Sequence, residues 1–156
     1  MKKVLAILAL SAVFSCGGEK TQESSDEQYE TSEPKSNVPK SIAEGKGVGE
    51  VKTVELTTPL DQERIARGKA VYEMKCQACH RLDKQRVVGP GWEGLTTKRK
   101  PEWIMNMITN VDMMLEQDPE AQKLLEECLT RMPNQNVSVG DARDILEYMR
   151  QNDGVQ

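Results

Sequence analysis

Cys76-Gln77-Ala78-Cys79-His80 is the stretch that decides how the rest of this 156-residue chain is read. C-x-x-C-H is the attachment sequence for a c-type haem. Each thiol adds across one vinyl group to form a thioether, and the two-residue spacer keeps both sulfurs on one side of a tight turn. His80 then lies beneath the iron as proximal ligand. It is the only histidine in the chain, so the opposite axial position cannot be histidine. Two other chemistries fit less well. A redox-active C-x-x-C belongs beside a βαβ pattern, and residues 60–110 contain no convincing strand run. A structural zinc needs four ligands. Cys76, Cys79, His80 and Cys128 are the only candidates, and adjacent Cys79 and His80 share a tetrahedron awkwardly. One covalently bound haem c is the expected cofactor.

Upstream, the N-terminus reads as an export signal. Lys2 and Lys3 precede an apolar run from Val4 to Phe14, followed by Ser15-Cys16. The run is too short to cross a bilayer as a helix. A small residue before Cys16, with Val13 three places upstream, resembles a bacterial lipoprotein cleavage box, although Phe14 is a less usual neighbour. On that reading residues 1–15 are a signal peptide, and lipidated Cys16 becomes the mature N-terminus and anchors the chain to a membrane. The alternative is an ordinary signal peptide with a chance cysteine. Either way the chain is exported, and c-type haem is attached outside the cytoplasm in bacteria. Both features place the protein in the cell envelope or periplasm, with the choice of membrane open. The four cysteines then divide into Cys16 for lipid, Cys76 and Cys79 for haem, and Cys128 left over, with no disulfide framework. Loss of Lys2 and Lys3 takes the formal charge from −4 to −6, which offers no support for nucleic-acid binding.

Residues 16–57 have the composition of a disordered acidic linker: Glu, Ser, Thr, Gln and Lys with Pro34 and Pro39 and few apolar side chains. Gly45-x-Gly47-x-Gly49 invites a nucleotide-loop reading, but no strand precedes it and no helix follows, so it is read as part of the linker. An all-α domain is expected over 58–153. Thr58 can cap and Pro59 open a first helix reaching about Lys75, with Ile65, Gly68, Val71 and Tyr72 on one side. Pro101 starts a second, with Ile104, Met107, Ile108 and Val111 at helical spacing. Asp118-Pro119 starts a third, and Ser138-x-x-Asp141 resembles a capping box for a last helix burying Ala142, Ile145, Leu146 and Met149.

Methionine is the natural sixth ligand, because a soft thioether favours reduced iron and Met/His ligation raises the potential. Met107 and Met149 fall on apolar helix faces and Met74 ends the first helix. Met105, Met113 and Met114 lie on or just after the second helix, and packing is the default for all six. Met132 differs: it sits in the loop between the last two helices, held towards extended backbone by Pro133. It is the preferred ligand, with Met113 and Met114 as alternatives.

In chain order, Gly68 and Tyr72, Cys76-x-x-Cys79-His80, Gly89-Pro90 with Gly94-Leu95, Met132-Pro133, and a closing helix with Ile145 and Tyr148 resemble a class I monohaem cytochrome c over about residues 58–153. The resemblance implies the cytochrome c fold, a small helical domain wrapped around its haem. In that family the first and last helices cross closely, which Gly68 would permit and Tyr72 and Tyr148 would fill. The Pro90 carbonyl would accept a hydrogen bond from His80, fixing the ring and raising its basicity. Taken alone, Gly89-Pro90 reads equally as a turn. Trp92, Leu95 and Trp103 are expected near the haem, with ordinary core packing as the other reading of the tryptophans. Cys128 reads as a buried structural thiol, and a place in the pocket wall is open to it.

The expected role is that of a non-enzymatic, monomeric, membrane-tethered carrier. It would pass single electrons between transient protein donors and acceptors. The alternatives are a haem-based gas or ligand sensor and a haem subunit of a terminal reductase or oxidase complex. A peroxidase fits least, because no distal histidine exists to move protons. Two basic clusters, Arg81-Lys84-Arg86 and Lys98-Arg99-Lys100, read either as a docking patch or propionate contact, or as solvated surface.

Overall fold

The computed structural model describes residues 38–156. Those residues form seven helices: α1 (Lys40–Ala43), α2 (Gln62–Lys75), α3 (Leu95–Lys98), α4 (Pro101–Thr109), α5 (Val111–Gln117), α6 (Pro119–Cys128) and α7 (Val139–Asn152). The only β pairing among them is an isolated antiparallel bridge between His80 and Arg86. No described helix is long and apolar enough to cross a membrane.

The crossing of α2 over α7 organises the domain. A Cβ on Gly68 would overlap the Asp144 carbonyl oxygen and stand 2.9 Å from the Ile145 nitrogen. Only glycine allows the two backbones this close. Tyr72 packs beside the crossing, 5.0 Å from Trp92 and 5.6 Å from Tyr148 between ring centroids. Across the same contact Asp144 of α7 receives Arg64 at 2.8 Å and Arg67 at 2.6 Å from α2. On its inward face α7 buries Ala142, Ile145, Leu146 and Met149 in the core it shares with α2 and α4. Each large side chain buried there contributes roughly 2 kcal/mol.

Caps explain where the helices begin. Asp118 accepts from the N–H groups of Glu120 and Ala121, with Pro119 in the first turn of α6. Ser138 accepts from the Asp141 N–H at 3.0 Å, as the capping-box spacing predicts. The first long helix departs from expectation. Asp61, not Thr58, caps it, accepting from Glu63 and Arg64, and Thr58 and Pro59 precede the helix. The expected second helix is broken at Asn110 (φ −141, ψ 46), which places Val111 in α5.

The linker expectation also needs correction for residues 46–57. Buried Asn106 of α4 donates to the carbonyls of Lys46 and Val51, each at 3.0 Å, and accepts from the Val51 N–H at 3.1 Å. Val51 itself is buried. Gly47 and Gly49 lie so close to Met114 and Asn106 that a Cβ at either would collide. The glycine patch is therefore the close-approach segment of a strap packed on α4 and α5. Arg143 and Arg150 of α7 extend the hold, donating to the carbonyls of Glu55 and Thr57 at 3.1 Å each. Composition hid this because the strap is held by backbone hydrogen bonds to partners far along the chain. Residues 1–37, with the expected signal peptide and Cys16, lie outside the described residues.

Candidate haem site

The C-x-x-C-H motif forms a tight turn at the end of α2. The N–H groups of Cys76 and Gln77 both donate to the Tyr72 carbonyl, and those of Cys79 and His80 return to the Cys76 carbonyl at 3.0 and 2.9 Å. Cys76 and Cys79 are both half-buried free thiols. Burial pushes the Cys76 thiol up to about 11; neighbouring Lys75 opposes the rise and Cys79 adds to it. No cluster of three or more metal-binding side chains occurs among the described residues, so a zinc site has no support there.

His80 is held from two sides. Its Nδ1 is 2.9 Å from the Pro90 carbonyl oxygen, and its own carbonyl accepts from the Tyr72 hydroxyl at 2.8 Å. Because Nδ1–H must donate to that carbonyl, Nε2 carries the free lone pair. Burial lowers the His80 pKa, only partly opposed by the Pro90 hydrogen bond, so the ring is neutral at pH 7 and fit to bind a metal. Gly89 lies against the ring: a Cβ there would stand 2.8 Å from Nδ1 and 2.9 Å from Nε2. Trp92 packs 5.5 Å away, centroid to centroid.

Cys79 and His80 open onto a cavity of about 720 Å³. Its walls come from Pro90, Trp92 and Leu95 on one stretch and Trp103, Ile104, Met107 and Ile108 on α4. Leu115, Leu124, Leu125 and Cys128 continue it along α5 and α6, with Met132 and Pro133 from the distal loop and Met149 from α7. Every haem-side residue expected from the sequence is on this wall except Cys76, which sits beside it in the motif turn. Cys128 is also on the wall. Met113 and Met114 are not: Met113 is exposed, and the Met114 sulfur is fully buried, accepting from the Val48 N–H at 3.0 Å.

Lys98, Arg99 and Arg131 supply the cavity's cations, and among the described residues no carboxylate lines it. Arg99 is held at 4.7 Å over the Trp103 ring and at 2.9 Å from Glu120. The Trp103 indole N–H is directed to Asp118 at 3.2 Å. The other basic cluster is engaged within the chain: Arg81 pairs with Asp83, Lys84 with Glu93, and Arg86 donates to carbonyls at the end of α6. Nothing in the sequence marked Met107 or Leu124 as site residues, because they reach the cavity only through tertiary folding, whereas Arg99 belongs to the basic cluster for which a propionate contact was one reading.

These features fit a haem c. Two reduced thiols stand beside a neutral, oriented imidazole, the walls are apolar, and the cations suit the haem's carboxylates. Comparison with known proteins points the same way. No curated protein sequence matches this chain significantly. Among solved structures, a cytochrome c from Rhodothermus marinus superposes with a TM-score of 0.68 at 36% identity, covering 72% of this chain and 96% of that one. An engineered cytochrome c from the same organism, Rma TDE, matches at 35% identity with a TM-score of 0.67 over the same shares. Its form bound to a carbene intermediate, 1-ethoxy-1-oxopropan-2-ylidene, matches at 34% with a TM-score of 0.64, again over the same shares. The family model for cytochrome c matches residues 65–153, from the first buried side chain of α2 to the end of α7. With the motif turn, the Pro90-bonded histidine and the α2–α7 crossing inside that span, the chain belongs to the cytochrome c family and carries covalently bound haem c.

Proposed function

We propose that this protein is a one-electron carrier of the bacterial cell envelope, with His80 and Met132 as the axial ligands and Cys16 as a lipid anchor. The observation that carries the reading is that His80, with Nε2 free, and Met132 line one apolar cavity. The sequence alternatives Met113 and Met114 point elsewhere. Haem iron supplies the Fe(II)/Fe(III) couple. His80 Nε2 and the Met132 sulfur would bind it from two sides, Cys76 and Cys79 would clamp the ring edge, and the aliphatic and tryptophan walls would exclude water. A closed, thioether-ligated site in such walls stabilises the reduced state and leaves no position for a substrate. The cavity also lacks a carboxylate or second histidine to act as acid or base, which supports transfer of electrons over catalysis.

The test is spectroscopic. The haem-loaded protein is expected to be low-spin in both oxidation states, to show a weak near-infrared sulfur-to-iron band, and to bind little carbon monoxide when reduced. Met132→Ala is expected to lose the band and bind carbon monoxide readily. A wild-type protein that is high-spin and takes up carbon monoxide freely refutes the carrier and favours a sensor. For the anchor, Cys16→Ser should move the protein from the membrane to the soluble fraction, and retention there removes lipidation from the reading.

A further inference from the structure

We propose that Arg86 and Lys75, which flank the haem-attachment motif, are positioning residues that hold the distal loop on either side of Met132. This rests on Met132 being the sixth ligand. Arg86 follows His80 by six residues, and the two backbones pair in the isolated bridge. Its Nη1 donates to the Glu127 carbonyl at 2.7 Å and its Nη2 to the Cys128 carbonyl at 3.1 Å. Those are the last two residues of α6, whose carbonyls have no partner inside the helix. A cation is favoured there by the helix dipole as well.

The end of α6 needs such help. Leu129 takes the left-handed conformation (φ 54) that glycine ordinarily supplies at a helix end, and its side chain is 86% exposed. A branched residue in that conformation is strained, so the bond from Arg86 offsets a local tendency to unwind. Met132 follows three residues later. Beyond it, Lys75 Nζ donates to the Gln135 carbonyl at 2.9 Å. Lys75 immediately precedes Cys76, so the loop is tied before and after Met132 to the two ends of the segment that carries both thioether cysteines and His80. The sulfur's position relative to the proximal ligand is thereby set by two side chains together with the packing of Met132 against the core. The Arg131–Asp112 pair (2.8 Å) ties the same loop to α5 and does not reach the motif.

Entry of an outside ligand requires Met132 to leave, so loosening either tie should speed entry. The assay is the rate at which saturating imidazole binds the oxidised, haem-loaded protein, followed by absorbance. Arg86→Met is expected to raise this rate about tenfold, the combined size of two solvent-screened charged hydrogen bonds. Lys75→Met should raise it about threefold, because one bond is lost rather than two. Arg86→Lys, which keeps the charge and one donor, should return to within about threefold of wild type. Hydrogen exchange at the Leu129 and Asn136 amides, which donate to the Leu125 carbonyl and to Asn134 Oδ1, should quicken in step, while amides in the α2–α7 crossing keep their protection.

If Arg86→Met lowers the melting temperature but binds imidazole at the wild-type rate, its role is merely structural and the proposal fails. Met132→Ala, run in parallel, separates this failure from that of the ligand assignment. If Met132→Ala binds imidazole no faster than wild type, the assignment itself falls and takes the clamp with it. If only the Arg86 and Lys75 variants are without effect, the clamp alone is refuted.

Discussion

Gly89→Ala isolates the contact that orients the proximal ligand. Gly89 lies outside the left-handed region, so the main effect of alanine comes from where its methyl lands. That carbon would overlap His80 Cε1 and stand 2.8 Å from Nδ1 and 2.9 Å from Nε2. Carbon contacts are comfortable only at about 3.5 Å or more, so the ring must retreat by roughly 1 Å. The Nδ1 to Pro90 distance starts at 2.9 Å, and a retreat of that size takes it beyond hydrogen-bonding distance. Overpacking costs about 1–3 kcal/mol and the lost hydrogen bond about 1 kcal/mol, together about 2–4 kcal/mol. For a domain of this size that lowers Tm by roughly 10–20 °C. The chemistry should shift too. An imidazole that no longer donates to Pro90 is a less basic ligand and favours reduced iron. At 59 mV per tenfold for one electron, the potential should rise by on the order of 20–60 mV. Thermal denaturation by circular dichroism and a potentiometric titration of the haem-loaded protein read both effects. Gly140→Ala is the control: its methyl would meet only Ser138 Oγ at 3.7 Å, and helix propensity should leave it neutral or up to about 1 kcal/mol more stable. Gly89→Ala melting and titrating like wild type would mean that the ring is not held by this contact.

Two further expectations concern the strap and the buried ions. Asn106→Ala leaves the Val51 N–H and two carbonyls without their partner and should cost about 2–4 kcal/mol; by hydrogen exchange, Val51 should lose protection more than tenfold while α2 and α7 keep theirs. Unchanged exchange at Val51 would show that the strap is held by something else. Glu147 is fully buried, which alone would raise its pKa, yet hydrogen bonds from Arg143, the Asp61 N–H and Arg150 hold it below the usual range. Asp144 is depressed in the same way by Arg67 and Arg64. Their stabilisation is therefore complete above the unfolded carboxylate range, near pH 4, and disappears as pH falls through the lower folded values. Glu147→Gln should be less stable at pH 7 and show a shallower loss of stability below about pH 4.5; an acid-denaturation curve parallel to wild type contradicts this.

The proximal half of the site was legible because it is local. Cys76, Cys79, His80 and Pro90 occupy fifteen consecutive positions; the turn follows from their spacing, and the ring's hydrogen bond to Pro90 was implied by the family resemblance. Helix faces were equally readable: Ile145 and Met149 repeat with helical period, and Asp118 and Ser138 announce their helices by side-chain chemistry. The errors fall where a partner is distant. Thr58 and Asp61 are both reasonable caps by residue type, and what favours Asp61 is Glu147, 86 positions on, accepting from the Asp61 N–H. Residues 46–57 are too polar to pay for their own ordering, and nothing in them reveals that Asn106 will satisfy their backbone.

The methionines show the same division in the part of the site that matters most for the iron. Met107, Met132 and Met149 all reach the cavity. Met149 is 2% exposed and wedged into the core on α7, and Met107 rides on α4, so both sulfurs are placed by the packing of whole helices. Met132 has no helix to place it. Pro133 made it conspicuous in sequence by restricting its backbone, but a restricted backbone does not aim a side chain at a particular point. That requires the loop to be tied at defined places, and its ties begin at Lys75, which nothing in the sequence singled out, and at Arg86, whose basic cluster read either as a docking patch or propionate contact or as solvated surface. A helix-borne thioether can be freed only by disturbing the core, whereas a loop-borne one is freed by breaking three exposed or half-exposed hydrogen bonds. The affinity of iron for its sixth ligand in this protein should therefore depend more on Arg86 and Lys75 than on any buried side chain of the cavity wall.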